Sequence, residues 1–217
     1  MDDTIRNLII ASMVLVLASL YGGDTLGSWF HWERETDYND GDSFSSVTEF
    51  YLEGYESESE FNAGADSIYE DEKVDHDPDY DDNDCEGTSD CDEMYDLMQG
   101  KIQNLLYIVI LAGGVALYFL NDGDNEKATL ACLAMGGAGL LAVLLFVASF
   151  PEAMDDDLDA FDSTDGFDDD PSIFGEDTQK DDDSDVETDR SWRPGFALAL
   201  VALSGILGMG AYFELKQ

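Results

Sequence analysis

Basic residues are scarce in this chain. Nine Lys and Arg and two His stand against 50 Asp and Glu in 217 residues, a formal net charge of −41. Phosphate backbones are repelled by such a surface, which excludes nucleic acid as a partner. Cysteine is sparse too, at three residues. No second Cys or His pair accompanies Cys85 and Cys91, so zinc-ligand spacing is missing. Four apolar stretches contain no Asp, Glu, Lys, Arg or His away from their ends. Pumps and proton-coupled transporters place such groups inside their spans. Nor is there a Pro-interrupted pair of stretches to build a midplane substrate site. No Ser–His pair, Asp pair or H-E-x-x-H lies in them, and Ser204 has no base to activate it. Catalysis and active transport are therefore not expected.

What is present is long apolar sequence. The stretches are Ile5–Gly22, Ile102–Leu120, Ala128–Phe150 and Gly195–Phe213. A bilayer core of about 30 Å needs about 20 helical residues. The last three meet that length and lack the polar stripe of a soluble helix. The first carries Arg6, which snorkels from a helix end or begins a secretory signal. Asp2 and Asp3 spoil a positive n-region, so a retained helix is expected, with a cleaved signal as the competing reading.

The charge lies between the stretches. Residues 24–100 hold 26 acids against two bases, and residues 151–194 hold 18 against three. By parity these two segments share one side of a membrane. The expected fold is a membrane all-α four-helix bundle. A small β-hairpin or sheet decorates its first loop, and its acidic second loop is largely disordered. The expected organisation is a helix over 1–22, acidic loop 23–101, helix 102–120, short loop 121–127, helix 128–150, acidic loop 151–194, helix 195–213 and tail 214–217.

Lys and Arg near the helix ends hardly decide sidedness. Arg6, Lys127 and Lys216 flank the short-loop side, and Arg34, Lys101, Arg190 and Arg193 the acidic side. Cys85 and Cys91 tilt the choice. Gly87 permits a tight reversal between them, and a disulfide suits an oxidising compartment. Free thiols and a metal pair remain alternatives. The expectation is a plasma-membrane protein with extracellular acidic loops and both termini inside.

Aromatic residues cluster at the ends of the stretches. Tyr21, Trp29, Trp32, Phe146, Phe150, Trp192 and Phe196 are read as one interfacial belt, and Tyr118, Phe119, Tyr212 and Phe213 as the other. Helix packing is assigned to small residues four apart, where backbones can approach. These are Ala112 and Ala116, then Ala134, Ala138 and Ala142, then Ser204 and Gly208. Cys132 is read as a small packing residue, with palmitoylation as the alternative.

In the first loop, Leu26–Thr36 and Ser43–Glu53 are rich in aromatic and β-branched residues and flank the turn signal Asp37–Asp42. They predict the hairpin. Ser67–Tyr69 and Val74 are candidates for another short strand. The second loop reads as a solvated charge run. No resident cofactor is expected. Asp159, Asp162, Asp165 and Asp168 recur every third residue and are the candidate for weak Ca²⁺ or Mg²⁺ binding, without an EF-hand pattern. Acidity of this density also resembles adaptation to high salt, where screening shortens the Debye length to about 3 Å at 1 M.

The layout resembles the claudin and peripheral-myelin-protein superfamily of tetraspan proteins. The residues that carry the resemblance are Trp29 after the first helix, the pair Cys85 and Cys91, and Cys91-Asp-Glu-Met-Tyr95-Asp96 before the second. It implies a loop disulfide Cys85–Cys91 and a Trp29 that anchors an external sheet on the bilayer. No Gly-Leu-Trp precedes Cys85, and the cysteine spacing is shorter than the family's. The function expected is non-catalytic: contacts between neighbouring molecules, or organisation of other membrane proteins, cations or basic surfaces. The alternatives are an external divalent-cation-binding or charge-screening surface protein, and an accessory subunit of a transport or secretion complex.

Overall fold

Unbroken apolar runs satisfy their backbones internally as helices, and four such helices are long and apolar enough to cross a membrane. The computed structural model describes residues 3–21, 26–38, 41–64, 72–76, 92–158, 172–181 and 186–216. The first helix, α1, is Asp3–Tyr21. A short helix α2 (Asp92–Tyr95) and a π-helical segment (Asp96–Gln103) precede α3 (Asn104–Asp122). Helix α4 is Asn125–Leu158, and α5 is Phe196–Lys216. The chain divides into a helical unit (Met1–Ser28, Asp96–Ser149, Phe196–Gln217) and a sheet unit (Trp29–Tyr95, Phe150–Gly195).

In the helical unit, the turn between α3 and α4 is only two residues long. Gly123 takes a left-handed conformation (φ 81°), which costs glycine little. The Asp124 amide donates to the Phe119 carbonyl at 2.9 Å. The Asp124 carboxylate then accepts the Lys127 amide at 3.2 Å and pairs with Lys127 Nζ at 2.7 Å. That bond holds its carboxyl below the usual carboxylate range. The π-helical segment has its own logic. Residues five apart align in a π-helix, and Asp96 meets Lys101 at 2.6 Å. At its end, Asn104 Nδ2 donates to the Gly100 carbonyl at 2.7 Å.

Glycine brings α4 and α5 together. A Cβ placed on Gly136 would sit 2.6 Å from the Met209 nitrogen and 2.9 Å from the Gly208 carbonyl carbon. One turn away, a Cβ on Gly139 would lie 3.1 Å from the Gly205 Cα. The pairs Gly136–Gly208 and Gly139–Gly205 thus line a backbone-to-backbone crossing. Ala116, Ala138, Ala142, Ser204 and Gly208 are buried, Ala112 is half-buried and Ala134 is exposed. Cys132 is buried. Exposed positions of the unit include Leu111, Val115, Leu130, Leu144 and Ile206, an apolar outer surface suited to lipid.

Helices α1 and α5 share a buried polar contact. Ser12 Oγ donates to the Ser204 carbonyl at 3.0 Å and lies 2.8 Å from Ser204 Oγ. In lipid a hydroxyl pair of this kind contributes about 0.6 kcal/mol. A double-mutant cycle of Ser12→Ala and Ser204→Ala, read by reversible unfolding in detergent, is expected to return a coupling of that size. Additive losses would show that the pair contributes nothing.

The sheet unit corrects the expected fold class. A single six-stranded antiparallel sheet stands where a small hairpin was expected, in the order β4-β3-β2-β1-β6-β5. Its strands are β1 (Phe30–Asp37), β2 (Ser43–Phe50), β3 (Tyr55–Asn62), β4 (Glu72–His76), β5 (Gly175–Asp181) and β6 (Val186–Pro194). The molecule is therefore not all-α. The expected β1–β2 hairpin is present, turning at Gly41 (φ 85°) with the Tyr38 amide bonded to the Asp42 carbonyl at 2.9 Å. The second acidic segment does not remain a solvated run over 175–181 and 186–194. Its strand β6 pairs with β1 along its length, from Phe30 opposite Pro194 to Asp37 opposite Glu187. Backbone pairing and a buried alternate row stabilise those strands despite their charge.

The core of this unit is aromatic. Trp29, Phe30, Phe50, Tyr55 and Phe150 are each 2% exposed or less. The Phe150 ring centroid lies 5.3 Å from that of Phe30 and 5.4 Å from that of Phe50. Trp29 staples three strands' ends: its amide donates to the Phe50 carbonyl at 2.7 Å, and its carbonyl accepts the Gly195 amide at 2.7 Å. Of the aromatic residues read as an interfacial belt, Trp29, Phe146 and Phe150 are buried. Tyr21, Tyr118, Phe196 and Phe213 are exposed. Helix α4 continues through Pro151, which withholds one N–H and crowds the carbonyl of Val147. Beyond it Ala153 and Met154 are buried, and Asp157 accepts the Met94 amide at 2.8 Å, capping α2.

Candidate functional site

Alternation along each strand sorts the sheet's side chains into two faces. In β3 (YESESEFN) Tyr55, Ser57, Ser59 and Phe61 point one way, and Glu56, Glu58 and Glu60 the other. The register carries this division across the sheet. The first face holds the aromatic core residues, small hydroxyls, Arg34 and Arg190, and, on the two edge strands, Glu72, Asp177 and Asp181. The second holds Glu33, Glu35 and Asp37 from β1, Glu49 from β2, and the three glutamates of β3. Asp75 of β4, Glu176 of β5, and Glu187 and Asp189 of β6 complete it. Eleven carboxylates share this face with Lys73, Lys180 and Arg193. Ion pairs offset part of the charge: Lys73 with Glu58, and Lys180 with Glu187 at 3.5 Å. An open groove on the face is lined by Glu49, Glu56, Glu58, Glu60 and Asp75.

Glu49 is a hub within this groove. His31 Nδ1 lies 3.5 Å from Glu49 Oε1, and the Tyr51 hydroxyl donates to Glu49 Oε2 at 2.8 Å and Glu56 Oε2 at 3.3 Å. Burial, reinforced by the bond to Glu49, pushes the Tyr51 phenol well up from its usual value. A raised phenol stabilises the folded state below the unfolded value of about 10, and that contribution is lost as pH climbs through the folded one. In an alkaline titration of phenolate absorbance, Tyr51→Phe is expected to remove a phenol that ionises above the usual range. Ionisation of every tyrosine together would contradict this.

Among the described residues no group of three or more His, Cys, Asp or Glu is arranged to hold a metal ion. Asp159, Asp162, Asp165 and Asp168, the candidate Ca²⁺ or Mg²⁺ ligands, lie outside the described residues, as do Cys85, Cys91 and Ser67–Tyr69. The face itself was missed at the sequence level. Its signal was the glutamate alternation of β3 and the acid alternation of β6, both obscured because their inward partners are serine, threonine and arginine. No protein-family model and no curated protein matches the chain.

Proposed function

We propose that this chain is a non-catalytic multi-pass membrane protein whose sheet offers an acidic docking face to basic partners at the membrane surface. The observation that carries the reading is the segregation of eleven carboxylates against three bases on one face of one sheet. A surface of this kind steers cationic partners and sets their orientation. Pairing of β1 with β6 supports placing both acidic segments on one side, since strands do not pair through a bilayer. An extracellular plasma-membrane setting and a claudin-like role in organising neighbours belong to the same proposal. Support for that likeness comes from the four spans and from the strands that follow the first.

Binding of polylysine to the protein in nanodiscs tests this. Affinity is expected to fall with salt. Joint Glu56→Gln, Glu58→Gln and Glu60→Gln is expected to weaken binding about three- to tenfold, at about 0.2–0.5 kcal/mol per exposed pair. Neutralising Asp122, Asp124 and Glu126 on the short connector serves as the charge-matched control. If both triple variants lose affinity equally, the face has no special role and the proposal fails.

A further inference from the structure

The aromatic face of the sheet carries a second feature, independent of the acidic docking face. Across the β1–β6 seam like residues meet: Trp32 opposite Trp192, Arg34 opposite Arg190, Thr36 opposite Thr188. The indoles gain from this, stacking at 5.2 Å with 20° between planes. The threonine hydroxyls gain too, at 3.1 Å. The guanidiniums do not, because like charges directly opposite in an antiparallel pair repel.

The two arginines differ in surroundings. Arg190 is 7% exposed and has Asp177 as its other cross-strand neighbour. Arg34 has only Ser46 on its other side. Its Nε is buried without an acceptor, and among the described residues it forms no ion pair. A partly buried guanidinium without a counter-charge carries a desolvation cost that an anion would offset. Beside it, the Thr36–Thr188 pair uses one hydroxyl proton internally and leaves the other free to donate.

We propose that Arg34 and Arg190 form an oxyanion site between the tryptophan stack and the threonine pair, taking a phosphate-type group. The planar guanidinium of Arg34 offers two parallel N–H donors to such a group. The oxyanion comes either from solution or from a phospholipid headgroup.

The test uses the full chain in phosphatidylcholine nanodiscs near 1 M ionic strength, where a Debye length of about 3 Å mutes the overall repulsion. Inorganic phosphate, exchanged for chloride at constant ionic strength, is expected to raise the melting temperature saturably. Arg34→Gln is expected to weaken that binding about tenfold or more, as loss of a charged hydrogen-bond partner does. Arg34→Lys should fall between, keeping charge without the fork. In a second arm, phosphatidylglycerol replaces phosphatidylcholine without added phosphate. A shift only there, lost in Arg34→Gln, assigns the oxyanion to lipid. The proposal is overturned if neither probe shifts the wild-type melt, or if both arginine variants respond as the wild type does. Phosphorus NMR broadening of free phosphate by the wild type gives a readout independent of variant folding.

Discussion

Gly136→Ala is expected to destabilise the helical unit by about 3 kcal/mol, the upper end of overpacking costs, and Gly136→Leu by more. The added Cβ would meet backbone atoms at 2.6 and 2.9 Å. Flexible side chains move aside for such an intruder, whereas here an entire helix must retreat. In lipid the retreat is expensive because close van der Waals contact drives association, with no hydrophobic gain between helices. Gly137 supplies the control. A Cβ there meets nothing within 4 Å. Gly137→Ala should be neutral or slightly stabilising, since alanine favours the helix by up to about 1 kcal/mol. Detergent-titrated unfolding followed by far-ultraviolet circular dichroism compares them. Equal stability of the two alanine variants would refute the close crossing of α4 and α5.

Phe150→Ala should cost about 3–5 kcal/mol in the sheet unit, the range for emptying a buried phenylalanine site. Its ring is fully buried between Phe30 and Phe50. The backbone around it is tied by Trp29 to β2 and by Gly195 to the end of β6, so the cavity has little room to collapse. Loss of near-ultraviolet circular dichroism at a lower temperature than in the wild type is the expected sign. Phe174, 68% exposed, provides the comparison. Phe174→Ala should stay within about 0.5 kcal/mol. A Phe150 variant as stable as the Phe174 variant would remove Phe150 from the core.

The contrast between β2 and β3 shows what could be read in advance. Strand β2 (SFSSVTEF) carries aromatic and β-branched residues beside the Gly41 turn, and its hairpin with β1 was legible from those residues. Strand β3 alternates just as regularly, but its inward row is Tyr55, Ser57, Ser59 and Phe61. Serine has no strand preference, so the period of two was hidden under a charge run. The same happened in β6, where Thr188, Arg190 and Trp192 form the buried row and Glu187 and Asp189 point outward. Reversed, Glu187–Trp192 reads W-S-R-D-T-E beside the W-E-R-E-T-D of Trp32–Asp37. That mirror order was the available sign of the β1–β6 pairing.

Helix packing divides in the same way. Small residues in α4 and α5 were visible, and Gly208 was assigned to packing, but it meets Gly136, and Gly139 meets Gly205, positions spaced three apart, while Ala134 is exposed. Composition alone cannot choose which side of a helix meets its neighbour. What the amino acids determined unaided is the set of four apolar helices, because a long greasy run without alternation satisfies its backbone groups within itself as a helix. Tertiary structure decided that two acidic segments, separated by two helices in the chain, close into one sheet. Strand pairing depends on a partner distant in sequence, and charge-rich strands gain enough from it only when their alternate row finds a core to enter.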